Sequence, residues 1–139
     1  MKKWGAIGVL TIVITFLLTS ARVSAATAAD YTDAELLERV VEAEAGNQGL
    51  IGKRLVVSVI LNRIDSEKFP DTIRDVLTSP HQFGPVWNGA IHKVTVSDET
   101  REAIILETMD RSDPEILYFN SGEVSGKYAY TYRGHKFGK

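Results

Sequence analysis

Of the side chains able to do chemistry, the acids of one short run are the most unusually placed. In TDAELLERVVEAEAG, Thr32 to Gly46, apolar residues recur at helical spacing. With successive side chains turned by about 100°, Leu36, Leu37, Val40 and Val41 form one arc. Glu35, Glu38, Arg39 and Glu42 fall on the opposite face, which suits solvation. Glu44 does not join them. It projects from the middle of the apolar arc, near the directions of Val40 and Leu37, where an unpaired carboxylate is costly. Glu42 and Glu44 lie about 200° apart round the helix and cannot act as a pair. An acid in an apolar setting, near the negative end of a helix dipole, is held protonated towards neutral pH. A general acid that protonates a glycosidic oxygen needs that property. The placement also fits a structural carboxylate satisfied by hydrogen bonds, and helix geometry alone does not separate the two.

Other chemistries find no support in the sequence. There is no cysteine, which removes thiol catalysis and cysteine-ligated zinc. His81, His92 and His135 stand apart, without HExxH or comparable ligand spacing, so neither a metal nor a cofactor is expected. No Gly-x-Ser-x-Gly elbow and no phosphate-cradling glycine loop occurs.

The elements that must position Glu44 can be read in order. Thr32 and Glu35 have capping-box spacing, so the first helix starts there. It is expected to end near Gly46-Asn47, with glycine in the left-handed conformation, which leaves Glu44 in the last turn. A second helix, Leu50 to Ser66, is apolar round nearly its whole circumference and reads as central and packed on most sides. Its one polar stripe, Arg54, Ser58 and Asn62, is either an exposed edge or the lining of a cleft beside the first helix. Asp71-Thr72 leads into a short helix ending near Leu77. The segment SPHQFGPVWNG, Ser79 to Gly89, is expected to be irregular. Its Phe83 and Trp87, set beside amides, suit the C–H faces and hydroxyls of a sugar, or else they cap the core. Ser97 is expected to cap a helix from Asp98 to about Asp110, with Ala103, Ile104, Leu106 and Met109 as its apolar contacts. Beyond Asp113-Pro114 the pattern turns to β: Ile116 to Asn120, Lys127 to Tyr132, and His135 to Phe137 after a turn at Arg133-Gly134. These predict a small antiparallel hairpin or three-stranded sheet. The fold class is therefore α+β.

At 139 residues the chain is one domain, apart from its ends. Lys2 and Lys3, the apolar segment Trp4 to Leu18, and Val23-Ser24-Ala25 have the layout of a secretory signal peptide over residues 1–25. An uncleaved single-span anchor is the alternative. Residues 26–31 read as a short tether and residues 32–139 as the functional domain. Losing residues 1–25 removes three of the 16 basic residues and none of the 18 acidic ones, for a net charge of −5. That argues against nucleic acid as a partner. An exported domain without disulfides must rely on its hydrophobic core. Contact with a membrane is expected only through the N-terminal signal or anchor, and the domain is expected to act as a monomer.

Five separated motifs, VVEAEAGNQGLIGKRLVVSVILNRI, FPDTIRDVL, HQFGPV, ILYFNS and RGHKFGK, together resemble the spore-cortex-lytic cell-wall hydrolase family of SleB type, in the same order. The resemblance covers Ala34 to Lys139. It implies a lysozyme-like or lytic-transglycosylase-like helical domain that acts on peptidoglycan glycan strands in the cell wall, outside the cytoplasm. The family's catalytic glutamate lies in an Ala/Gly-Glu-Ala motif, which falls on Ala43-Glu44-Ala45. Gly46-Asn47-Gln48 stands where the family commonly has Arg-Gly-Glu. Gln82, Phe83, Tyr118, Asn120 and His135 fall on family motif positions and are expected to line the sugar cleft. A structural role for each is the alternative: a loop tie, a core aromatic, a turn former or a hairpin tie. The reaction implied is cleavage of the β-1,4 bond between N-acetylmuramic acid and N-acetylglucosamine. No partner acid for hydrolysis is evident from spacing; Asp65, Asp71, Asp75, Asp98, Glu99 and Glu123 depend on the fold. A single acid suits lytic transglycosylation. Lysozyme-type hydrolysis and a non-catalytic wall-binding or inhibitory domain are the alternatives.

Overall fold

The structure, a computed structural model, describes residues 26–139; the N-terminal segment read as a signal peptide lies outside them. Among the described residues five α-helices precede a three-stranded sheet: α1 Asp33–Ala45, α2 Gly49–Asp65, α3 Ile73–Thr78, α4 Gly84–Trp87 and α5 Asp98–Met109, then β1 Tyr118–Asn120, β2 Tyr128–Tyr132 and β3 His135–Gly138. The α+β expectation holds, and among the described residues no helix is long and apolar enough to cross a membrane.

The helix α2 organises the rest because it is apolar on opposing sides. Val56, Val57 and Ile60 pack with Leu36, Leu37, Val40 and Val41 of α1, and with Val76, Leu77, Phe83 and Ile91. Leu55 and Val59 face the other way, into a smaller core with Ile116 and Phe137 of the sheet region. Each such side chain contributes about 1.5–3 kcal/mol by leaving water. Phe119 packs against both cores and joins them. In the sheet, β3 lies between β1 and β2 and is antiparallel to both, with Phe119 opposite Phe137 and Tyr132 opposite His135. The last strand in sequence is thus the central one, which brings His135 and Asn120 to the same end.

Local signals hold at several helix starts. Thr32 accepts from the Glu35 amide at 3.2 Å while Glu35 accepts from the Thr32 amide at 2.8 Å. Ser97 caps α5 through the Thr100 amide, also at 3.2 Å.

Other expectations are corrected. Gly46 is right-handed, with φ −54°; the left-handed residue is Gly49, φ +70°, at the start of α2. Gly46 is instead required by closeness, since a Cβ there would lie 2.7 Å from the Glu42 carbonyl oxygen. Residues 84–87, expected to be irregular, form the single turn α4, with Pro85 in its first turn. Residues 28–30, within the expected tether, form a 3-10 turn docked on the domain: Arg74 donates to the carbonyls of Ala28 and Tyr31, and Tyr31 stacks on His92 at 5.5 Å.

The polar stripe of α2 is neither an exposed edge nor a cleft lining. It meets α5 and the chain beyond it: Ser58 and Arg54 bond to buried Glu107, and Asn62 donates to the carbonyls of Asp113 and Ile116. For that reason α5 buries Thr100, Ala103 and Glu107, while Met109 is 80% exposed and contributes no core contact. Glu42 is not a solvated residue either. It accepts from the Ser97 amide at 3.0 Å and from the hydroxyls of Ser97 and Thr100, and so holds the start of α5.

Candidate active site

The last turn of α1 puts Glu44 half-buried on a cavity of about 240 Å³. The opposite wall comes from Asn120 and Ser121 at the end of β1 and His135 at the start of β3. Gln82, Gly84 and Pro85 close a third side. Burial raises the Glu44 carboxyl from its ordinary 4.5 to about 7. No opposing effect accompanies it: among the described residues Glu44 makes no ion pair and no side-chain hydrogen bond that would favour the charged form. A structural carboxylate tied down by hydrogen bonds does not fit this arrangement.

The surrounding groups are polar and mostly uncharged. Burial lowers the pKa of His135, which favours the neutral ring. Its Nδ1 is buried without a partner among the described residues, and the ring lies 5.5 Å from that of Phe119. The Asn120 side-chain oxygen accepts from the Gly122 amide at 3.0 Å, which fixes the amide group at the rim. The Gln82 side-chain oxygen accepts from Arg63 at 3.1 Å. Glu44, Gln82, Asn120 and His135, far apart in sequence, therefore share one cavity. Phe83 does not line it. The ring is fully buried in the helical core, so the reading of Phe83 as a sugar contact is replaced by one of support from beneath. Trp87, from the same segment, is 57% exposed and lies away from this cavity.

A second cavity of about 390 Å³ adjoins the first and shares Gln82, Phe119 and Asn120 with it, so the two form one groove. Tyr118 lines this half, beside Arg63, Lys68, Phe69 and His81. Sequence reading missed these last four. Arg63 carried a usable signal, as a charge outside the polar stripe of a helix apolar on nearly every side. Lys68, Phe69 and His81 sit in loops whose facing only the fold determines. His81 has φ +61°, a left-handed backbone that non-glycine residues adopt at a cost.

Neither half of the groove is lined by a second carboxylate. The acids held open from sequence are elsewhere: Asp65 pairs with Arg111, Asp98 with Arg101 and Glu99 with Lys53, while Asp75 accepts from Thr72. Asp71 lines a separate cavity behind Phe69, and Glu123 lies exposed between β1 and β2. Among the described residues no cluster of three or more His, Asp or Glu side chains could hold a metal.

A family model described as Cell Wall Hydrolase matches residues 47–139, beginning just past Glu44. The spore cortex-lytic enzyme of Bacillus cereus is 30% identical over 102 residues, which cover 71% of this chain and 39% of that relative. The chain thus spans well under half the length of that protein. Among solved structures, the catalytic domain of the Bacillus cereus SleB protein superposes with a TM-score of 0.66 at 27% identity, covering 77% of this chain and 89% of the other. The catalytic domain of the germination-specific lytic transglycosylase SleB from Bacillus anthracis gives 0.66 at 26% identity, covering 78% and 97%.

Proposed function

The chain belongs to the cell wall hydrolase family, and from that premise we propose that it cleaves peptidoglycan glycan strands as a lytic transglycosylase, with Glu44 as acid and then base. The bond is the β-1,4 link between N-acetylmuramic acid and N-acetylglucosamine. One observation carries this reading: a single half-buried carboxyl, with its pKa raised to about 7, faces an open groove that offers no second acid.

The chemistry follows from that carboxyl. Protonated Glu44 gives its proton to the glycosidic oxygen as the bond from that oxygen to C1 of the muramic acid breaks. Positive charge develops at C1, and the newly formed Glu44 carboxylate is the nearest anion to it. The carboxylate then takes the proton of the same sugar's C6 hydroxyl, and O6 closes on C1 to give a 1,6-anhydro ring. Glu44 ends protonated, ready for the next cycle, and no water is consumed. A pKa near the working pH serves both halves, since the group must give and receive one proton. Hydrolysis would need a further carboxylate, to activate water or to act as nucleophile. Neutral His135, Gln82 and Asn120 are suited to hold sugar hydroxyls and N-acetyl groups.

The domain would meet its substrate outside the cytoplasm, as a monomer, after export directed by residues 1–25. The test of the acid assignment is Glu44→Gln, assayed for release of muropeptides from purified sacculi. Loss of about 100-fold or more is expected for a general acid. Undiminished release by a folded Glu44→Gln protein would show that Glu44 has no part in the chemistry, and no release by the unmodified protein would make this a wall-binding domain.

A further inference from the structure

Glu44 occupies one half of the groove, and the other half has a different electrostatic character. Its lining includes two cations, Arg63 and Lys68, and no acid, although the chain as a whole is net negative. Arg63 is only 4% exposed, and a charge buried to that degree is ordinarily paired. Among the described residues no carboxylate lies within ion-pair distance of it. Its hydrogen bonds go to neutral acceptors, the Leu117 carbonyl at 2.8 Å and the Gln82 side-chain oxygen at 3.1 Å. Its guanidinium lies over the rings of Phe69 and Tyr118, at 4.9 and 5.9 Å. Carbonyls and ring faces orient the cation without neutralising it. Burial lowers its pKa only to about 10, so it remains charged at neutral pH.

The other buried cation among the described residues is treated differently. Lys53, 2% exposed, has Glu99 at 3.0 Å and Glu42 at 3.9 Å. Arg63 is the exception, and the space its charge faces is the groove. Lys68 is exposed on the same cavity and adds a second positive charge there. His81 closes the rim, its ring stacked on Trp87 with centroids 6.5 Å apart.

We infer that this half of the groove is a carboxylate-binding subsite, which selects glycan strands bearing an anionic carboxylate close to the bond that Glu44 cleaves. The inference rests on the peptidoglycan reading and adds a specificity to it. Two sources supply the same chemistry: the lactyl carboxylate of muramic acid without a peptide, and the free carboxylates of a stem peptide.

Binding to the Glu44→Gln protein tests this, because the bound strand is not consumed. Titration calorimetry would compare three glycan oligomers of equal length: peptide-free with lactyl carboxylates open, the same with those carboxylates capped as methylamides, and peptide-bearing. At least one carboxylated oligomer should bind about tenfold more tightly than the capped one, with the advantage shrinking as salt rises. The arm that gains identifies the source. Lys68→Gln in the same background should reduce the advantage to about threefold, while the capped oligomer binds as before. Equal affinity for all three, tighter binding of the capped strand, or no binding of any would each overturn the subsite. Digestion of sacculi by the unmodified protein reports separately on the reaction, so failure of one reading does not imply failure of the other.

Discussion

At the scale of the residue, Glu44 is set apart by its shortage of partners among the described residues. Burial raises its pKa to about 7, and that has a thermodynamic consequence. The unfolded chain gives up this proton near the ordinary 4.5, the folded chain only near 7. Stability is therefore lost as pH rises between those values, and above about 7 the full cost of the buried charge is present. Glu44→Gln should accordingly be more stable than the unmodified protein at pH 8, by at most about 3 kcal/mol, and show no gain at pH 4. Urea unfolding at the two pH values measures this; equal stability at pH 8 would mean that the carboxylate has a stabilising partner after all. The rate should fall as pH rises through about 7, because the acid must be protonated to start the reaction.

At the scale of the element, much was legible where the determinants are local. Thr32 with Glu35, and Ser97 with Thr100, specify helix starts through contacts three residues apart, and the structure makes both. The faces of the helices were less legible, because burial depends on what docks from elsewhere. Glu42 sits on the polar face of α1, yet α5 lands on that face and turns it into an anchor. Burial raises the Glu42 pKa, but hydrogen bonds from Thr100 and Ser97 outweigh that and bring it below the ordinary value. Its contribution is thus present above the ordinary carboxyl pKa and lost as pH falls through the lowered one. Glu42→Ala removes three hydrogen bonds at the N-terminus of α5 and one of the carboxylates near buried Lys53. A cost of about 2 kcal/mol at neutral pH is expected in urea unfolding. Because Glu42 lies on the far side of α1 from Glu44, digestion of sacculi should be little changed while the variant is folded.

At the scale of the whole molecule, the site depends on how the sheet is fastened to the helices. The turn between β2 and β3 leans on the start of α2, where Arg133 donates to the Gln48 carbonyl at 3.1 Å. Gly52 makes room for this: a Cβ there would lie 2.4 Å from Gln48 Cβ and 3.2 Å from the Tyr132 ring. Gly52→Ala should cost about 1–3 kcal/mol through overpacking. Unlike Glu42→Ala, it should also slow digestion of sacculi, since Tyr132 and His135 face each other across one hairpin. The general order, helices and then a small sheet, could be read from periodicity. The cavity could not, because it is assembled from α1, a loop, α4, β1 and β3, and no spacing along the chain encodes that meeting. Phe83 illustrates the difficulty: an aromatic in a polar loop reads as a sugar contact, yet it fills the core beneath the groove. Arg63 illustrates the converse, a charge in an apolar helix that gained its significance only when the groove formed around it.

If Glu44 acts without a second acid, the products of the reaction carry the proof. Purified sacculi would be digested in heavy-oxygen water and the released muropeptides weighed by mass spectrometry. Transglycosylation by Glu44 predicts 1,6-anhydro ends, one water lighter than reducing ends and free of solvent oxygen. Reducing ends that carry the heavy oxygen would show that water is the nucleophile, and the single-acid account would be wrong.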